Sequence, residues 1–176
     1  MGSGKSNIII YQLFDYETYS YKSNLISSRN GNMKKCNPFD ETTKFDKNFY
    51  NKAFIIDECQ FLTDDQIDDI YDLHQNGKSI IYLFGLYSTY KGEPFKSILK
   101  LMSMTHDIKF LQCFCHLCKK REATYNVKYS DGGKIIFDFD QKENLIDIGG
   151  NEKYMSVCYD CYQTQLQKYN AQKRAN

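Results

Sequence analysis

The sequence predicts an α/β fold: a parallel sheet flanked by helices, followed by a smaller subdomain pinned by metal. Three observations point there. Strand-length apolar runs alternate with helical periodicity from Ala53 to Phe114. Cys115-x-x-Cys118 and Cys158-x-x-Cys161 bracket a stretch of short segments broken by glycine turns. The chain also opens on Gly4-Lys5-Ser6, which suits a phosphate-binding loop.

Along the chain, Ile8 to Tyr19 sets Ile9, Ile10, Leu13, Phe14 and Tyr16 on one helical face, while Ile8-Ile9-Ile10 reads equally as a strand. Leu25 to Asn51 is polar, with Asn30-Gly31 and Asn37-Pro38 as turn signals. Ala53-Phe54-Ile55-Ile56, ending at Asp57, has the continuous apolar character of a buried parallel strand. Thr63 and Gln66 then form a capping box. Ile67, Ile70 and Leu73 give that helix its buried face, and Gly77 stops it. Ser79 to Phe84 is a second buried strand; a helix over Lys96–Met104 and a strand over Ile108–Phe114 follow. Beyond Cys115 the segments are short strands, broken by Asp131-Gly132-Gly133 and Gly149-Gly150. The polar tail, Tyr162 to Asn176, reads as a fraying helix. The chain therefore divides into an α/β domain over 1–114 and a cysteine subdomain with C-terminal helix over 115–176.

The 176 residues are 41% hydrophobic and 26% charged, which is globular chemistry. Lys and Arg number 23 against 22 Asp and Glu, so no strongly basic surface for nucleic acid is expected. No apolar run is long enough for a membrane span, and the N-terminus carries no secretion signal. The expectation is a cytoplasmic protein with neither nucleic-acid nor membrane partners.

Seven cysteines without a secretion signal fit a reducing compartment. The paired Cys115, Cys118, Cys158 and Cys161 suit tetrahedral thiolate coordination of a structural Zn²⁺, with free thiols or an iron–sulfur site as alternatives. Cys113 stands close enough to compete as a ligand but reads better as a core-facing strand residue. Cys36 and Cys59 read as small buried hydrophobes.

Gly4-Lys5-Ser6 matches the end of the pattern G-x-x-x-x-G-K-[ST], and makes the sheet P-loop NTPase-like. In such a loop the backbone amides of Gly2 to Ser6 curl round phosphates. Lys5 reaches the β- and γ-phosphates, and the Ser6 hydroxyl meets Mg²⁺. A loop of this kind belongs at the start of a helix, whose free N–H groups attract phosphate. Asp57-Glu58 at a strand end adds a carboxylate for Mg²⁺ and one that can take a proton from an attacking hydroxyl.

Phe54-Ile55-Ile56-Asp57-Glu58-Cys59-Gln60-Phe61-Leu62-Thr63 resembles the zinc-containing, P-loop thymidine kinase family in its bacterial form. Phe84-Gly85-Leu86 with Tyr90-Lys91-Gly92-Glu93-Pro94-Phe95 looks like that family's substrate loop, and Ile26-Ser27-Ser28-Arg29-Asn30-Gly31 like a shorter signature. Ile148-Gly149-Gly150-Asn151-Glu152-Lys153-Tyr154 with Ser156-Val157-Cys158 looks like its lasso. The resemblance implies ATP-dependent phosphorylation of the 5′-hydroxyl of thymidine or deoxyuridine, with Mg²⁺ accompanying ATP. It implies Glu58 as general base, with Asp57 and Gln60 on the same strand end, close to the nucleotide and nucleoside. Tyr90 matches an aromatic that stacks on thymine, and Met1 a loop residue near the 5-methyl; Leu86 belongs to the substrate loop. Leu145, Ile146, Asp147, Ile148 and Gly149 match the lasso main chain that holds the base, and Tyr154 its anchoring tyrosine. A structural zinc at the foot of the lasso, a homotetramer and inhibition by thymidine triphosphate are implied as well.

Two departures accompany the resemblance. The family opens with a strand leading into the P-loop, whereas this chain opens inside the loop, and no Asp-x-Arg occurs between Ser6 and Ala53. Both imply an N-terminally incomplete sheet lacking its first strand and a second one. The alternative function is therefore a catalytically impaired, truncated relative acting as a zinc-stabilised binding or interaction module.

Overall fold

The computed structural model describes residues 8–13, 25–27, 33–130, 134–137 and 153–175. Two compact units result: one holds the chain up to Tyr87 together with Phe95–His106, the other Ser88–Pro94 together with the chain from Asp107. Met1 to Ser6, Ser28 to Gly31, Asp131-Gly132-Gly133 and Leu145 to Gly150 lie outside the described residues.

The first unit is built on a parallel sheet of β1 (Ile8–Leu13), β4 (Asn37–Phe39), β5 (Ala53–Ile56) and β6 (Ile80–Leu83), ordered β4-β1-β5-β6. Between β1 and β4 in the chain, β2 (Leu25–Ser27) and β3 (Met33–Lys35) pair antiparallel on their own. Ile8–Leu13 thus resolves as a strand, and the helix expected directly after Ser6 does not follow it. Three consecutive β-branched residues favour the pleated state, and β1 is bonded on both flanks, Ile10 opposite Ile55 and Gln12 opposite Pro38. Asn37-Pro38, expected as a turn, lies instead in the edge strand β4, a position where proline's missing N–H costs no ladder bond.

Helix α1 (Asp64–Gln75) starts as its sequence prescribes. The Thr63 hydroxyl accepts from the Gln66 amide, and the Gln66 side chain accepts from the Thr63 amide. Asp64 and Asp65 in the first turn complement the helix dipole. The buried amide of Gln66 also donates to the carbonyls of Asp40 (2.6 Å) and Thr43 (3.0 Å), tying the turn after β4 to the helix. Ile67, Ile70 and Leu73 pack on Phe54 and Ile56 of β5, joined by Phe39, Phe45 and Leu101. Each such side chain contributes about 1.5–3 kcal/mol by leaving water. Leu101 comes from α2 (Lys96–Met104), so α1 and α2 share one core with β5.

Two expected strands differ. β6 forms, but Ile80 and Tyr82 are 59% and 56% exposed, so it is not buried on both faces. Only Ile81 and Leu83, on the opposite face, pack against the core. Ile108–Phe114 forms no strand; Phe110, Leu111 and Phe114 are exposed, and Phe114 makes one isolated bridge, to Glu122. Its apolar pattern is present, but a strand needs a partner ladder, and one bridge does not supply it.

The second unit pairs β7 (Tyr125–Lys128) antiparallel with β8 (Tyr154–Val157) and ends in α3 (Tyr159–Ala175). Val127, Met155 and Val157 meet Cys115 and Cys158 in its small core. Tyr162 stacks on Tyr125 at 4.5 Å and holds the start of α3. Among the described residues no helix is long and apolar enough to cross a membrane.

Gly77 is set by close approach: a Cβ there would lie 2.4 Å from the Tyr50 ring and 2.6 Å from the Leu73 carbonyl. Gly77→Ala is expected to lower unfolding free energy by about 1–3 kcal/mol, and Thr63→Ala by about 1 kcal/mol. Urea unfolding of both variants checks this, equal midpoints with the parent refuting it.

Candidate active site and cysteine centre

β5 delivers Asp57 and Glu58 to the end of the sheet, and there the chain bends. Glu58 adopts φ 58°, ψ 38°, a left-handed conformation costing a non-glycine residue about 1 kcal/mol or more, and its amide donates to Asp57 Oδ1 at 3.0 Å. A short 3-10 turn, Cys59–Phe61, follows. The turn is held by the residue that follows β6, because Cys59 N–H donates to the Phe84 carbonyl at 2.9 Å. Gln60 is buried; its Nε2 donates to Glu58 Oε2 at 2.6 Å and its Oε1 accepts from the Leu86 amide at 3.0 Å. The structure therefore brings Asp57, Glu58, Gln60 and the Leu86 backbone into one cluster, with the Leu86 side chain exposed.

Two further residues complete this cluster, Ser97 and Gly85, the latter from the Phe84-Gly85-Leu86 motif. Ser97, in the first turn of α2, donates its hydroxyl to the Gln60 carbonyl at 2.5 Å. Gly85 leaves the space Gln60 fills, since a Cβ there would sit 2.5 Å from Gln60 Oε1 and 2.7 Å from Cys59 Sγ. A glycine directly after a strand was the available signal for the second; an isolated serine offered none.

In the second unit, Ser88–Pro94 folds back on itself: Ser88 bridges Pro94, Thr89 N–H donates to the Glu93 carbonyl, and Gly92 takes φ 82°. Tyr90 at its tip is buried and meets the Tyr154 ring at 5.8 Å. The Lys91 and Lys128 ammonium groups lie 5.7 and 5.4 Å from the Tyr90 centroid. Lys128 is placed by register, directly opposite Tyr154 in the β7–β8 ladder, and had no sequence signal. The predicted sites at Met1, Gly2, Ser3, Gly4, Lys5, Ser6 and at Leu145, Ile146, Asp147, Ile148, Gly149 lie outside the described residues.

The four paired cysteines converge. Their sulfurs all lie within 4.8 Å of one another, Cys118 and Cys158 at 3.9 Å. Zn–S bonds of about 2.3 Å in a tetrahedron require sulfur separations of about 3.8 Å, so the donor set fits a four-thiolate metal. Backbone bonds build the knuckle: Lys119 N–H to the Cys115 carbonyl, Cys115 N–H to the Arg121 carbonyl, His116 N–H to the Ser156 carbonyl. Burial pushes the Cys115 thiol up, but amides of Cys118, Cys158 and Leu117 outweigh it and bring it to about 6. Amides of Lys120 and Arg121 lower Cys118, whereas burial and neighbouring thiols raise Cys161 to about 12. Cys113, expected in the core, is exposed, because the strand that would have buried it does not form.

Cys36 and Cys59 are buried as expected. Burial, followed by the Glu58 and Asp57 charges, raises the Cys59 thiol from 9.0 to about 12. A raised folded-state value means the contribution to stability is fully present below about pH 9 and is lost as pH climbs towards 12. At about pH 8 an aromatic disulfide reagent is expected to label exposed Cys113 and to spare Cys59 until the chain unfolds. Peptide mapping checks this; labelling of native Cys59 would contradict its burial.

The family profile described as Thymidine kinase matches residues 1–162. A thymidine kinase of Pseudothermotoga lettingae is 34% identical over 110 residues, covering 62% of this chain and 54% of the relative. One from Chromobacterium violaceum is 26% identical over 177 residues, covering 92% of this chain and 93% of the relative. One from Choristoneura fumiferana entomopoxvirus is 38% identical over 108 residues, covering 61% and 52%. In the first and third alignments the chain spans about half the relative's length.

Proposed function

The chain belongs to the thymidine kinase family, and on that premise we propose that it transfers the γ-phosphoryl group of ATP to the 5′-hydroxyl of thymidine. The observation that carries this reading is the strand-end carboxylate of Glu58, fixed at the C-terminal end of a parallel strand, where ligands of α/β sheets bind. The base removes the hydroxyl proton as the oxygen bonds to the γ-phosphorus, the bond to the β-phosphate bridging oxygen breaks, and ADP leaves. Mg²⁺, when bound with ATP, neutralises charge on the phosphates. Asp57 would help hold that ion, and Gly2 to Ser6 would contact the phosphates. By the resemblance Tyr90, with Tyr154 beside it, would stack on thymine, and the main chain of Leu145 to Gly149 would hold the base. Deoxyuridine shares the acceptor hydroxyl and fits the same chemistry. A homotetramer and a cytoplasmic setting accompany this reading.

Cys115, Cys118, Cys158 and Cys161 would hold Zn²⁺. Four protein ligands leave no open position, so the metal's role is structural. One observation favours the impaired alternative. Gly4-Lys5-Ser6 is followed by the strand β1 and not by a helix whose N–H groups would help hold phosphate. Micromolar binding of a non-hydrolysable ATP analogue with measurable phosphorylation of thymidine would dismiss that alternative; no binding would establish it.

Glu58→Gln is expected to lower kcat about 10²–10⁴-fold with ATP-analogue affinity retained. An unchanged rate would place the base elsewhere. Cys118→Ala or Cys161→Ala is expected to abolish a zinc stoichiometry of about one per chain, measured by elemental analysis, and full metal retention would refute the four-thiolate site.

A further inference from the structure

Gln60 is 4% exposed, and its amide has one orientation available. The Leu86 backbone N–H can only donate, so the Gln60 oxygen faces it at 3.0 Å and Nε2 must face the other way. There it donates to Glu58 Oε2 at 2.6 Å. The residue is held from three sides: Ser97 Oγ on its carbonyl, the Leu86 amide on its side-chain oxygen, and Gly85 packed where any Cβ would strike that oxygen. Asp57 and Cys59 are the titratable neighbours on the same turn. Asp57 accepts the Glu58 amide, and Cys59 stays a neutral thiol. Among the described residues, Leu86 and Gly85 from the segment after β6 and Ser97 from α2 meet the cluster and bring no charge.

We infer that Gln60 is a positioning residue for Glu58: it fixes the carboxylate through Oε2 and ties it to the loop that opens with Gly85 and Leu86. The inference rests on the phosphoryl-transfer reading and redirects Gln60 from nucleotide contact to the base. A neutral donor on one carboxylate oxygen favours the ionised form, which is the form a general base requires. It also removes rotamers that would swing the carboxylate away from the strand end, where the left-handed backbone of Glu58 sets its direction.

The test compares the parent chain with Gln60→Met, which keeps volume without a donor, and Gln60→Glu, which replaces the donor by a second carboxylate. Thymidine phosphorylation is followed between about pH 5 and about pH 9, and the Glu58 carboxyl is titrated by ¹³C NMR, assigned by its absence in Glu58→Gln. Gln60→Met is expected to lower kcat about tenfold with KM for ATP within about twofold. The acid limb and the Glu58 titration should both move up by about one pH unit, and further in Gln60→Glu. An unmoved Glu58 titration, or an unchanged kcat with a raised KM for ATP, overturns the inference. If the parent chain does not phosphorylate thymidine, the kinase reading fails on its own. The NMR titration still decides whether Gln60 holds Glu58. Should Gln60→Met lose its fold by circular dichroism, Gly85→Ala, which displaces the Gln60 oxygen, must produce the same shift or the inference falls.

Discussion

Pairing of β5 on both flanks is the constraint on which the first unit depends. Its ladders to β1 and β6 pair the backbone of Ala53–Ile56, and burial of one face turns Phe54 and Ile56 into the floor on which α1 and α2 pack. A strand held in this way ends at a definite place. Asp57 and Glu58 are consequently presented at a fixed height above the sheet. The unfavourable backbone angle of Glu58 is tolerated because the turn after it is bonded to the Phe84 carbonyl.

The second unit solves a different problem. Its apolar core is small, so the two cysteine knuckles supply the connection that buried area does not. Bringing Cys115 and Cys118 to Cys158 and Cys161 sets β7 against β8, and the register of that ladder puts Lys128 beside Tyr154 around the ring of Tyr90. A metal held by the four thiolates would stabilise the Tyr90–Tyr154 pair without touching it.

The chain belongs to the thymidine kinase family. Under the proposed reading the carboxylate of the first unit would serve as the base, and the aromatic pair of the second would face a planar ring. Neither needs an unusual side chain. What each needs is orientation, which in the first unit comes from Gln60, Ser97 and Gly85 and in the second from Tyr154 and Lys128, residues whose own chemistry is ordinary.

The sequence by itself determined the features that depend on near neighbours. The Thr63–Gln66 capping box, the buried stripe of α1, the run of β5, the extent of α2 and the grouping of four cysteines are local or spacing effects, legible because propensity and periodicity act over a few residues. Tertiary structure decided whatever required a partner. Ile8–Leu13 became a strand because ladders were available on both sides, whereas Ile108–Phe114, equally apolar, found no ladder and stayed without one. Pro38 entered a strand because its place was an edge, and β6 kept an exposed face because only Ile81 and Leu83 met the core. The contacts of Gln60 with Leu86 and Ser97 join residues 26 and 37 positions apart, a distance over which no local pattern carries information about hydrogen-bond direction.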